Sequence, residues 1–258
     1  MLREIDETYV FFICVIACLA IIELGFRLGR KHRRASDDAA KTHIGALQTA
    51  LLGLLALLLG FTFAMSVTRF ETRKNLVLEE ANAIGNAYWR SQLLPPAARE
   101  PIAKLLLDYT TTALEFSDAD NDKERLATAG ATSRRIERQI RSTAASVLEN
   151  PPSISTIMFI QAINEMAQVN EKRRVALENH VPEPVFYLLF IVTGGAMGFI
   201  AYGTGLHKRR RLISTGLFAM LISLVLTFIL DIDQPASGVI TVSQESMVRM
   251  KTTLEQER

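Results

Sequence analysis

Four stretches of the chain stay apolar for about the thickness of a lipid bilayer, and nothing else in the sequence limits the fold as much. They run from Tyr9 to Leu28, Ile44 to Val67, Pro184 to Leu206 and Leu212 to Leu230. Each is close to the ~20 residues a helix needs to cross ~30 Å of hydrocarbon. A segment inside hydrocarbon must satisfy its own backbone, so each block is expected to be a helix. The sequence therefore predicts an all-α membrane protein with four transmembrane helices in two pairs and a helical bundle inserted between the second and third. The expected divisions are 1–67 for the first pair with its basic loop, 68–183 for an extramembrane bundle, 184–233 for the second pair, and 234–258 for a turn and a short amphipathic helix. The opening "MLREIDET" is acidic, the basic cluster follows the first block and no A-x-A site is present, so that block is expected to stay as a membrane helix and not to act as a signal peptide.

The loops give an orientation. "RLGRKHRRASDDAAK" carries Arg27, Arg30, Lys31, Arg33 and Arg34, and "HKRRR" carries Lys208 to Arg211. Lys and Arg in short loops stay in the cytoplasm, which would put both termini and the segment 68–183 in the periplasm of a bacterium, with the protein in the inner membrane. The net charge of +2 is small and its cations cluster at membrane borders, which argues against nucleic acid as a partner.

"RFETRKNLVLEEANAIGNAYWR" follows the second block with no Gly-Pro break, so the helix should run on past the bilayer. With the block before it, this makes a rod of roughly 75 Å at ~1.5 Å rise per residue. Leu76, Glu80, Ala83, Ile84 and Ala87 form a narrow stripe along it that calls for partner helices. Pro95 and Pro96 end the rod. A helix from Ala97 to Phe116 should follow, with Ile102, Leu105, Leu106, Tyr109 and Leu114 inward, then one from Lys123 to Leu148 and one from Ser153 to Asn179.

Small residues recur along the second and third spans, including Gly53, Gly60, Gly194 and Gly198, and this spacing lets helices approach closely in lipid. The stripe serves either packing within one subunit or contact with other subunits around an axis. In the second case Gln48 and Ser66 offer polar atoms, and Leu57, Phe61 or Phe63 a constriction. Arg69, Arg73, Glu80, Asp231 and Asp233 make up a charge network at the membrane border. The acid Glu23 has Arg27 one turn on as a local partner.

Chemistry leaves little trace. "DADND" at 118–122 starts like an EF-hand, but Lys123 stands where Gly is needed and Ala129 where Glu is needed. Cys14 and Cys18 sit inside the first block and read as packing, and the four histidines lack metal spacing. No nucleophile elbow, phosphate loop or zinc motif is present, so an enzyme is not expected, and no cofactor or metal is called for.

"GFTFAMSVTRFETRKNLVLEEANAIGNAYWRSQLLPP" together with "DIDQPASG" resembles the bestrophin-like domain family of bacterial membrane proteins. The resemblance rests on Phe61, Phe63, Arg69, Arg73, Glu80, Ala81, Asn82, Asp231, Asp233, Pro235 and Gly238, and extends over nearly the whole chain. Kinship with bestrophins implies a ring, usually of five subunits, that passes inorganic ions, with the second span along the pore and Phe61 or Phe63 at a hydrophobic neck. It also implies a cytosolic helical domain, opposite to the orientation the loop charges give. The alternative is a non-conducting scaffold or sensor whose helical bundle binds a protein partner.

Overall fold

A computed structural model describes residues 7–34, 38–118, 123–146, 153–207, 212–234 and 239–257. The described residues form eight helices: α1 (Glu7–His32), α2 (Asp38–Ser91), α3 (Pro96–Asp118), α4 (Lys123–Ser146), α5 (Ile154–Glu178), α6 (Glu183–Leu206), α7 (Leu212–Asp233) and α8 (Glu245–Gln256). Among the described residues there is no strand. Four helices are long and apolar enough to cross a membrane, in the regions of the four apolar blocks, so the protein is an all-α membrane protein. The second loop cluster Lys208–Arg211, the turn residues 119–122, and Pro235 and Gly238 lie outside the described residues.

The chain divides into two compact units, one of Met1–Thr68 with His180–Gln234, the other of Arg69–Asn179 with Pro235–Arg258. The division falls inside α2, which runs for 54 residues without a break, as the absence of Gly-Pro before Pro95 led one to expect.

In the first unit, α1, the first part of α2, α6 and α7 pack through three small clusters. Val10, Cys14, Phe186 and Ile229 belong to one, Cys18, Ile22, Met197 and Ala219 to the next, and Leu55, Leu189, Ala196 and Leu226 to the third. In lipid there is little hydrophobic drive between helices, so close backbone approach has to supply the packing. It does so between α1 and α6. A Cβ on Gly25 would stand 2.5 Å from the Gly198 carbonyl oxygen, one on Gly205 2.5 Å from that of Phe26, and one on Gly29 would collide with that of Tyr202. Gly194 and Gly198 lie against Ile21, whereas Gly53 and Gly60 have no atom of this chain within 4 Å of a built Cβ.

The second unit holds the later part of α2, α3, α4, α5 and α8 around one core. Ile84, Ile102, Leu106, Tyr109, Ile140, Phe159 and Met166 are its fully buried centre. Burying one such side chain from water contributes ~1.5–3 kcal/mol. Local chemistry ends the helices. The Ser153 hydroxyl accepts the Thr156 amide as the cap of α5, Asn179 closes that helix, and the Arg99 guanidinium donates to the Leu94 carbonyl beside the Pro95–Pro96 break. From α8, Met247 and Leu254 enter the core, and the Tyr88 hydroxyl donates to the Glu257 carbonyl at 3.3 Å.

Candidate functional site

All four spanning helices keep most of their apolar surface exposed, and α2 buries the least of it. Of the most apolar window of each spanning helix, 17% is buried in α2, against 28% to 33% in the other three. Leu57 is 54% exposed and Phe61 64%, one turn apart on a face that also carries Gly53 and Gly60. Phe63 is 40% exposed and stacks on Phe228 of α7 with ring centres 6.2 Å apart. The other two residues expected beside them point elsewhere. Gln48 donates its amide to the Phe199 carbonyl of α6 at 2.6 Å, and Ser66 is fully buried with no hydrogen-bond partner for its hydroxyl. Helix phase turns both roughly away from Leu57 and Phe61, with Gln48 half-buried against α6 and Ser66 buried within the chain. The expected local pair is present, with Arg27 Nε 2.7 Å from Glu23 Oε1.

At the end of α7, Asp231 and Asp233 are both buried. One carboxylate oxygen of Asp233 accepts the Val181 amide at 2.9 Å, and its backbone carbonyl lies 3.1 Å from His180 Nδ1. Asp233 therefore fixes the segment that leads into α6.

Three charged residues of the second unit, Arg73, Glu80 and Arg173, are buried. Arg73 is 2% exposed and donates to the carbonyls of Ala176 at 3.1 Å and Asn179 at 2.8 Å, so it satisfies the otherwise free C-terminal carbonyls of α5. Glu80 is fully buried. One of its oxygens is 2.5 Å from Arg173 of α5 and the other accepts the Tyr109 hydroxyl of α3 at 3.1 Å. Arg173 also donates to Ser117 and, at 2.9 Å, to Gln244 just before α8. Glu80 is thus a core residue that bridges α2, α3 and α5. Burial, and then the Glu80 carboxylate, push the Tyr109 hydroxyl well above its ordinary pKa, so it stays a proton donor to that carboxylate.

Arg173 is the functional-looking residue that the sequence reading did not single out. Its signal is its register: Phe159, Ala162, Met166, Val169 and Arg173 recur every three or four residues along the buried face of α5. No group of three or more His, Cys, Asp and Glu side chains is arranged to hold a metal ion among the described residues.

A family model described as the bestrophin-like domain matches residues 12–247. Among solved structures, a single-residue variant of a bacterial bestrophin homologue from Klebsiella pneumoniae is similar with a TM-score of 0.67 and 15% identity, covering 98% of this chain and 98% of that one. A second variant of that homologue has a TM-score of 0.66 and 15% identity, over 96% and 97% of the two chains. A crystal structure described only as a membrane protein has a TM-score of 0.66 and 15% identity, with 97% of each chain covered. At such identities the likeness is one of fold. No curated protein matches the chain.

Proposed function

The chain belongs to the bestrophin-like domain family, and from that premise we propose that copies of it close into a ring that passes inorganic ions along α2. The observation that carries this is the open face of α2. Leu57 and Phe61 are large, apolar and exposed, and Gly53 and Gly60 leave the backbone beside them bare. In a ring, the glycine positions admit a neighbouring helix and the Leu57–Phe61 turn narrows an axial path, where apolar side chains gate by expelling water. Five copies is the number by analogy with bestrophins. The ring stands in the bacterial inner membrane with the helical bundle and both termini in the periplasm, because the short loops holding Arg27 to Arg34 and Lys208 to Arg211 are strongly basic. The test is the mass of the purified complex followed by ion flux in liposomes, with Leu57→Ala and Phe61→Ala beside the native chain. Flux that these variants alter supports the reading. A monomer or dimer with no flux removes it.

A second reading is favoured by a different surface. Trp89 and Leu93 near the end of α2 and Ile154 at the start of α5 are 55%, 60% and 79% exposed, and Arg90 ties the two helices by donating to the Met158 carbonyl. A non-conducting scaffold or sensor would use such apolar side chains to bind a protein partner. On that reading the native chain passes no ions in liposomes, and Trp89→Ala with Leu93→Ala abolishes partner binding while the fold stays intact.

A further inference from the structure

We propose that neighbouring copies in the ring are joined, in the second unit, by arginines of α4 on one copy entering an acidic cleft between α2 and α5 on the next. The proposal rests on the ring reading above and names the contact that sets its register. A closed ring built from one repeated interface needs two different, complementary surfaces on every copy. The second unit carries a pair of that kind.

The first is a cleft of about 310 Å³ lined by Glu79, Asn82 and Asn86 of α2 and Glu165, Gln168 and Lys172 of α5. Neither Glu79 nor Glu165 has an ion-pair partner within the chain among the described residues. The lining holds two carboxylates and three carboxamides against one ammonium, which leaves it acidic and rich in oxygen acceptors.

The second surface is the outer face of α4. Ala129, Ser133, Ile136, Ile140 and Ala144 turn inward, and the opposite face exposes Arg134, Arg135, Arg138 and Arg141. Two of these are used within the chain: Arg141 donates to Asn164, and Arg134 acts electrostatically on Glu137 and Glu171. Arg135 and Arg138 have no carboxylate partner among the described residues, and Arg138 reaches only the Arg134 carbonyl, at 3.4 Å. They lie three residues apart, side by side on the helix surface. A guanidinium presents its donors in a planar fork that fits paired carboxylate and carboxamide oxygens, which a point charge does not match. Unpaired anions in a concave site and unpaired cations on a convex helix of the same bundle are the complementary halves a head-to-tail contact requires. Such contacts fix register and partner choice more than they add affinity, so the contact should weaken with salt.

The experiment is charge exchange read by complex mass in detergent at about 0.1 M salt. Arg135→Glu with Arg138→Glu reverses one surface, and Glu79→Arg with Glu165→Arg reverses the other. Each reversal is expected to reduce the ring population about tenfold through like-charge repulsion. The chain carrying all four changes is expected to recover it. Unchanged helicity and melting of each variant separate lost assembly from lost folding. Reversals that leave the ring intact overturn this contact while the ring reading stands, and so does a four-fold variant that fails to recover. A native chain that forms no ring overturns the ring reading itself, and this contact with it.

Discussion

Arg173 Nη1 lies 2.5 Å from Glu80 Oε2 in an ion pair whose side chains are 5% and 0% exposed, and Tyr109, Ser117 and Gln244 complete the hydrogen bonds around it. Removing one partner strands a buried charge, which costs about 3–5 kcal/mol, whereas removing both costs less. Glu80→Gln and Arg173→Met should each sharply lower the melting temperature in detergent, and the double variant should lie above the worse single one. Additive losses would show that the two residues act separately.

The α1–α6 contact should tolerate no added side chain. In Gly29→Ala the new methyl meets the Tyr202 backbone, which cannot move as a side chain tip can, and overpacking of this kind costs typically about 1–3 kcal/mol or more. Gly53→Ala and Gly60→Ala meet nothing within the chain. Melting of a dissociated, monomeric sample should fall for Gly29→Ala and stay level for the other two. Equal losses at all three positions would contradict the packing described.

Glu137 gives a pH dependence whose sign can be worked out. Burial raises its carboxyl above the ordinary value of 4.5, against the lowering effect of the Asn170 hydrogen bond. A carboxyl whose folded pKa is raised contributes stability that is fully present below the unfolded pKa and lost as pH rises through the folded value. Native protein should therefore lose some stability in the window just above pH 4.5, and Glu137→Gln should flatten that slope. An unchanged slope would assign the dependence to other groups.

Orientation is tested by labelling in intact cells, with Cys14 and Cys18 changed to Ser. The basic loop predicts that Lys104→Cys, exposed on α3 and outside the α2–α5 cleft, reacts with an impermeant maleimide from outside and that Arg33→Cys reacts only after lysis. The reverse pattern would put the bundle in the cytoplasm, as the bestrophin likeness alone implies.

The helices were legible because their signals are local. Four apolar blocks set the spans, Pro95–Pro96 stopped α2, and Ser153 marked the start of α5. The polar core of the second unit depends on partners far apart in sequence. Glu80 and Arg173 are 93 residues apart, and the run Lys172–Arg173–Arg174 offers three cations of which helix phase admits one. Its neighbour Arg174 instead pairs with Glu171 and Glu178 on the surface. Glycine spacing alone was ambiguous for the same reason. Gly25 and Gly29 repeat the G-x-x-x-G spacing of Gly194 and Gly198, yet only the fold tells which glycines have a helix against them and which, like Gly53 and Gly60, face away from the rest of the chain.

The open α2 face is tested most directly by the mass of the detergent-purified complex, measured together with liposome ion flux for the native chain and for Phe61→Ala. The expected result is a closed ring, about five copies by analogy with bestrophins, that conducts ions and conducts differently once Phe61 is truncated. A monomer or dimer that passes no ions would contradict it.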